Sequence, residues 1–174
     1  MHIEGDTGGM MKNNEHSVFL ALGSNLGDKQ KNIEDAFEKI EERIGKISSL
    51  SALHITNPVG FQSANIFVNC VCEVVTNIDI YTLFATTQEV EKEIGRRVKS
   101  RYGIYTDRII DIDLIMVDNL IINTPDLTIP HPLFHLRDFV LAPFCEIAPD
   151  RIHPLFGKTI RKLKDELDRM QTAY

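Results

Sequence analysis

The chain is poor in cysteine, has no long apolar run and carries no excess of positive charge, and each shortage removes a class of protein. Cys70, Cys72 and Cys145 are three in 174 residues, an odd number without paired CxxC spacing, which argues against a disulfide framework or a zinc ribbon. Cys70 and Cys72 alternate within an apolar segment and read as buried free thiols. No stretch approaches the roughly 18 apolar residues that a membrane span needs, and the first sixteen residues lack the apolar centre of a signal peptide, so a cytosolic location is expected. A formal charge of -6 disfavours broad nucleic-acid binding, which needs cations to neutralise many phosphates.

Two catalytic signatures are also missing. The loop Gly23-Ser24-Asn25-Leu26-Gly27 has neither the lysine-serine ending of a P-loop nor the GxGxxG spacing of a dinucleotide site. No nucleophile elbow or Ser-His-Asp order supports covalent acyl chemistry.

What is present fits one globular domain. Hydrophobic residues make up 43% and charged residues 25%, and 174 residues suffice for a single sizeable core. Residues 1–16, polar and glycine-bearing without periodicity, read as a disordered or non-native leader, which leaves 17–174 as the domain.

The run from Ser17 to Leu22 predicts a buried strand, followed by a helix capped by Asp28, with Ile33, Phe37, Ile40 and Ile44 at helical spacing and Gly45 as its stop. Ile47 to Ile55 predicts a second strand, which a turn-rich loop at Asn57-Pro58-Val59-Gly60 ends. Ile66 to Thr76 predicts a third strand, and Asp79 caps a helix from Ile80 to Ile94 that ends at Gly95. After a basic loop, Ile109 to Val117 is a fourth strand. The order β-α-β-β-α-β is that of an α+β, ferredoxin-like core: an antiparallel sheet with both helices on one face. C-terminal additions follow: an edge strand at Leu120-Ile121-Ile122, a short helix from Phe139 to Ile147 and a polar helix from Lys158 to Met170.

Asp111 and Asp113 interrupt an apolar strand, and alternation turns both carboxylates to one face, roughly 7 Å apart. Aspartate is disfavoured in strands, and two desolvated like charges are costly unless cations compensate them. Mg²⁺ suits such an open pair, because it takes its remaining ligands from water and phosphates; two solvated aspartates on an exposed face are the alternative. Lys92, Arg96, Arg97, Lys99, Arg101 and Arg108 precede the pair and are candidate phosphate ligands, or solvated charges near a helix end. In Thr128 to Phe139, His131 and His135 have i, i+4 spacing, but the prolines oppose a helix and no glutamate follows His131, so phosphate contacts from His131 and Arg137 are favoured over zinc.

Taken in order, these pieces resemble the 6-hydroxymethyl-7,8-dihydropterin pyrophosphokinase family from about Val18 to Phe156. The resemblance is carried by Ala21 to Gly27, Thr56 to Gly60 with Phe67-Val68-Asn69, Gln88 to Glu91 with Gly95-Arg96, Asp107 to Leu114, and Ile129-Pro130-His131-Pro132 with Arg137 to Leu141. It implies transfer of the β,γ-pyrophosphoryl unit of ATP to the pterin hydroxymethyl group, releasing AMP, with two Mg²⁺ ions held by Asp111 and Asp113. It further implies a catalytic set of Arg97, Arg108, Asp111 and Asp113. Gln88, Glu91, Arg96, Arg108, Leu114, Thr128, His131 and Arg137 would bind the nucleotide. Thr56, Asn57, Val59, Phe67, Asn69, Asp111 and Phe139 would bind the pterin, with the two phenylalanines on opposite ring faces. The chain departs from the family pattern where Arg101 to Arg108 replaces a shorter Arg-Trp-Gly-Pro-Arg run and where Asn57 replaces a proline. No hydrophobic repeat demands an oligomer, and a monomer is expected. The alternative from another class is a non-catalytic ferredoxin-like nucleotide- or nucleic-acid-binding module, which would need aromatics on an open sheet face.

Overall fold

A computed structural model describes residues 14–56, 66–102 and 109–172, with the side chains of 96–102 excepted. The elements are β1 (His16–Ser24), α1 (Lys29–Arg43), β2 (Lys46–Leu50), β3 (His54–Thr56), β4 (Phe67–Thr76), α2 (Ile80–Tyr102), β5 (Asp111–Val117), β6 (Ile122–Asn123), β7 (Thr128–Ile129), α3 (Asp138–Ile147) and α4 (Ile160–Thr172). All neighbours in the main sheet are antiparallel, in the order β2-β4-β1-β5 with β3 also on β4. This is the expected ferredoxin-like arrangement.

Alternation divides each central strand between two cores. Val18, Leu20 and Leu22 of β1 and Cys70, Cys72 and Val74 of β4 meet Ile33, Ile40, Leu83, Val90 and Ile94 of α1 and α2. Burial pushes the Cys70 thiol up to about 12 and raises Cys72 further, so both are inert, as expected of core thiols. The opposite residues Phe19, Ala21 and Val71 meet Phe134, Leu141, Phe144, Leu163 and Leu167. Helices therefore cover both faces, with the C-terminal additions forming an outer layer. Burying side chains of this size stabilises by roughly 1.5–3 kcal/mol each. A bulge at Ile115, where Phe19 faces Met116 but Leu20 faces Leu114, turns both Ile115 and Met116 toward the outer layer.

Caps act where the sequence places them. Asp28 accepts from the Lys31 N–H at 3.2 Å and Asp79 from the Thr82 N–H at 3.0 Å. Gly45 does follow α1, but a Cβ there would lie 2.0 Å from the Val75 carbonyl oxygen, so close approach to β4 requires the glycine. Gly95 does not stop α2, which continues through it to Tyr102. A single helical glycine costs only about 1 kcal/mol, less than the following helix formers and packing supply.

The segment read as one strand from Ile47 to Ile55 is two. Ser51 breaks it: its N–H donates to the Val71 carbonyl at 3.0 Å while its hydroxyl, not its carbonyl, accepts from the Val71 N–H at 3.0 Å. The Ala52 N–H turns instead to Glu146 of α3 at 3.0 Å, and the other Glu146 oxygen pairs with His54. Ile122 and Asn123 pair with Thr128 and Ile129 in a separate small sheet, not as an edge of the main one. The terminal helix is amphipathic, with Ile160, Leu163 and Leu167 buried.

In the outer layer the His153 ring is 2% exposed and stacks between Phe134 at 5.4 Å and Phe156 at 4.1 Å. Its Nδ1 accepts from the N–H groups of Leu155 and Phe156 at 3.1 and 3.2 Å. Burial, with a smaller contribution from His135, pushes the imidazole down to about 4.

Candidate active site

The site occupies the end of the outer sheet face that α3 leaves uncovered. Asn69 of β4, Gly23 of β1 and Asp111 of β5 lie in one cross-strand row, and Val71, Ala21 and Asp113 in the next. Strands are about 4.8 Å apart, so roughly 10 Å separate Asn69 from Asp111 with only glycine between them. The middle strand thus forms a floor without bulky side chains. A Cβ on Gly23 would lie 2.6 Å from the Asn69 side-chain oxygen, so the asparagine lies directly over this glycine.

The floor belongs to a cavity of about 920 Å³, whose described lining includes Thr56, Phe67, Asn69, Asp111 and Asp113 from the sheet and Arg137 to Val140 from the start of α3. Phe139 is 42% exposed, which separates it from the core phenylalanines Phe134 and Phe144. The Arg137 guanidinium sits 5.8 Å from its ring centroid. Such an aromatic, beside a few convergent polar groups, fits the binding of a flat ring.

The glycine loop holds this end of the sheet in place. The Ser24 hydroxyl donates to the Ile109 carbonyl at 2.6 Å, and the Asn32 amide donates to Ser24 Oγ at 3.2 Å and to the Leu26 carbonyl at 2.9 Å. Both side chains are buried, so β5 is anchored just ahead of its two aspartates.

Asp113 is exposed and Asp111 half-buried, both on the outer face. Behind them, Glu91 of α2 accepts from the Ile112 N–H at 2.7 Å. Burial, aided by the charges of Asp111 and Asp113 and opposed by that hydrogen bond, pushes its carboxyl up to about 7. Two carboxylates on one sheet face, with a third behind them, offer hard oxygen ligands to a cation. Among the described residues no group of three or more His, Cys, Asp or Glu is placed to hold a metal ion. The aspartate pair fits Mg²⁺ as an open site that leaves coordination positions for water and phosphate.

His131 is drawn onto β5, its N–H donating to the Ile115 carbonyl at 2.9 Å. Its Nδ1 accepts from the Leu133 N–H at 3.1 Å, which leaves the proton of the neutral ring on Nε2 as a donor. Burial lowers its pKa, Asp113 opposes this, and Arg137 adds to it. His135 does not join it: that ring meets Phe156 edge-on at 4.8 Å.

Other expected site residues lie elsewhere. Gln88 is exposed on α2 and Thr128 half-buried in β7, neither on the cavity lining. Leu114 is 6% exposed in the inner core, on the sheet face opposite the aspartates. Arg96, Arg97, Lys99 and Arg101 fall on the last turns of α2, their side chains outside the described residues, and Asn57, Val59 and Arg108 also lie outside them. Sequence reasoning missed Ala21 and Gly23 as the floor, although small residues two apart in a strand were a readable signal. It missed Gln171 of α4, which lines the same cavity; a polar residue on a terminal helix gives no signal.

Fold and cavity together define an α+β domain with two aspartates, an asparagine and two phenylalanine rings on one pocket. The sequence profile of the 7,8-dihydro-6-hydroxymethylpterin-pyrophosphokinase family matches residues 19–149. The chain is 38% identical over 138 residues to a 2-amino-4-hydroxy-6-hydroxymethyldihydropteridine pyrophosphokinase of Porphyromonas gingivalis, covering 79% of this chain and 93% of the relative. It is 36% identical over 150 residues to the Aquifex aeolicus protein of the same name, covering 86% and 91%. A folic acid synthesis protein FOL1 of Dictyostelium discoideum is 42% identical over 147 residues, 84% of this chain but 22% of that longer protein. The fold is similar to that of Plasmodium falciparum HPPK-DHPS, with a TM-score of 0.73 at 16% identity over 92% of this chain and 45% of that one. The chain belongs to the 7,8-dihydro-6-hydroxymethylpterin-pyrophosphokinase family. It spans nearly the whole length of the two bacterial relatives and only part of the longer FOL1 and HPPK-DHPS chains.

Proposed function

We propose that residues 17–174 form one pyrophosphokinase domain that moves the β,γ-pyrophosphoryl unit of ATP onto the hydroxyl of 6-hydroxymethyl-7,8-dihydropterin in folate synthesis. The hydroxyl oxygen bonds to the β-phosphorus, the bond from that phosphorus to the α-β bridging oxygen breaks, and AMP leaves with the bridging oxygen. The observation that carries this reading is one cavity joining Asp111 and Asp113 to Phe67, Asn69 and Phe139.

In this reading Phe67 and Phe139 sandwich the pterin ring, while Asn69, with the main chain of Thr56 and Val59, recognises its polar edge. Arg137 and the Nε2–H of His131 donate to phosphate oxygens, and Arg96, Arg97 and Arg108 add positive charge. Asp111 and Asp113 would hold two Mg²⁺ ions, which when bound offset phosphate charge and make the hydroxyl a better nucleophile. Phosphoryl transfer leaves little covalent work for side chains, so alignment and charge compensation dominate. Apart from the cavity end, the sheet face that a nucleic-acid reader of this fold would need is covered by the outer layer that includes α3 and α4. No helix among the described residues is long and apolar enough to cross a membrane.

The test is AMP release from ATP, measured with and without the reduced pterin. AMP should appear only with both substrates and a divalent ion, and Asp111→Ala or Asp113→Ala should lower turnover by about 10³-fold or more, at an unchanged melting temperature. Near-normal turnover in either variant would contradict the cation assignment, and AMP formed without pterin would contradict the acceptor.

A further inference from the structure

Helix α4 lies wholly beyond the segment that the family profile matches. Its apolar side is buried in the outer core, but another side of the helix is directed at the site. Lys164 Nζ lies 3.1 Å from Asp138, the first residue of α3, and 2.7 and 2.9 Å from the two carboxylate oxygens of Asp168 one turn along its own helix. The hydrogen bonds that the Lys164 ammonium donates to Asp168 and Asp138 raise its pKa, so it stays charged at neutral pH. Asp138 stands between Arg137 and Phe139, which both line the cavity. Two turns beyond Lys164, on the same helix side, Gln171 lines that cavity as well.

We propose that Gln171 is a binding residue for the heterocyclic acceptor and that Lys164 is the positioning residue that holds the first turn of α3 against α4. The primary amide offers both a donor and an acceptor, the complement of an amide-like ring edge or of the substituent it carries. Gln171 is itself exposed, so its amide is open to a ligand in the cavity it lines. Phe139 supplies a ring face with no directionality, and Gln171 adds a directional contact within the same cavity. The inference rests on the pterin reading of the cavity and extends it to a part of the chain outside the family match.

The experiment is direct binding of the reduced pterin, in the presence of a non-hydrolysable ATP analogue and Mg²⁺, together with steady-state kinetics on the full chain. Gln171→Ala should weaken pterin binding and raise its KM roughly 3- to 10-fold, with kcat and the KM for ATP within about twofold. Lys164→Met should raise the same KM and Lys164→Arg should restore it, with circular dichroism and melting temperature unchanged across the set. If wild type turns over normally and Gln171→Ala binds pterin as tightly as wild type, the Gln171 assignment is overturned while the pterin reading stands. Equal losses of ATP and pterin affinity in Lys164→Met, or no rescue by arginine, overturn the positioning role. Failure of the wild type to bind pterin overturns the functional reading and this inference together.

Discussion

Glu91 shows how far the site displaces ordinary carboxylate chemistry. Its folded pKa, near 7, lies above the ordinary 4.5 because burial and the two aspartates oppose ionisation more than the Ile112 N–H favours it. The folded state therefore prefers the protonated form. The resulting penalty is absent below about pH 4.5, grows as pH rises toward 7, and is constant above that. Glu91→Gln keeps an acceptor for the Ile112 N–H and removes the charge. Urea unfolding should find this variant more stable than wild type at pH 8 by on the order of 1–2 kcal/mol after solvent screening, and by much less at pH 4.5. An equal difference at both pH values would mean that Glu91 ionises normally. The aspartates themselves were legible in sequence because carboxylates in an apolar strand violate the pattern around them. Glu91 carried no such signal, since a glutamate on a helix is ordinary until the fold places β5 behind it.

At the scale of elements, Gly23 is where β1 passes under the Asn69 side chain. Gly23→Ala would put a Cβ 2.6 Å from that side-chain oxygen, so the asparagine must rotate away. The expected cost is about 1–2 kcal/mol of stability, with a several-fold rise in the KM for pterin and little change for ATP. Thermal melts and paired KM measurements check this, and a parallel loss for both substrates would count against Asn69 as a pterin ligand. The strands and caps were readable because Asp28 and Asp79 act through local chemistry. Two boundaries were not. Ser51 splits β2 from β3 through a hydroxyl bond to a strand twenty residues away, and α2 carries Gly95 without ending. Both depend on tertiary partners that local propensity does not encode.

For the whole molecule, the outer layer is the part that sequence periodicity under-described. Strands buried on both faces lose the alternation that marks a one-sided sheet, and α4 looked merely polar. Within that layer neutral His153 stacks between Phe134 and Phe156, the latter in the loop ahead of α4. Because that pKa is depressed from 6.5 to about 4, its stabilising contribution is complete above pH 6.5 and is lost as pH falls toward 4. Denaturation across this window should show a loss on the order of 2 kcal/mol that is much smaller in His153→Gln, and an NMR titration should keep the His153 ring neutral at pH 5.5. Protonation near 6.5 would remove the account.

The extra residue in β5 sets a tolerance that differs along the chain. Upstream of Ile115 the strand counts in strict twos, so deleting Ile112 from between the two aspartates would turn one carboxylate into the apolar layer beneath α1 and α2. The short β6-β7 hairpin, paired only with itself in its own sheet, has no such parity to keep and can accept length changes. Natural variants and grafted segments should therefore accumulate there, while β5 keeps a fixed length.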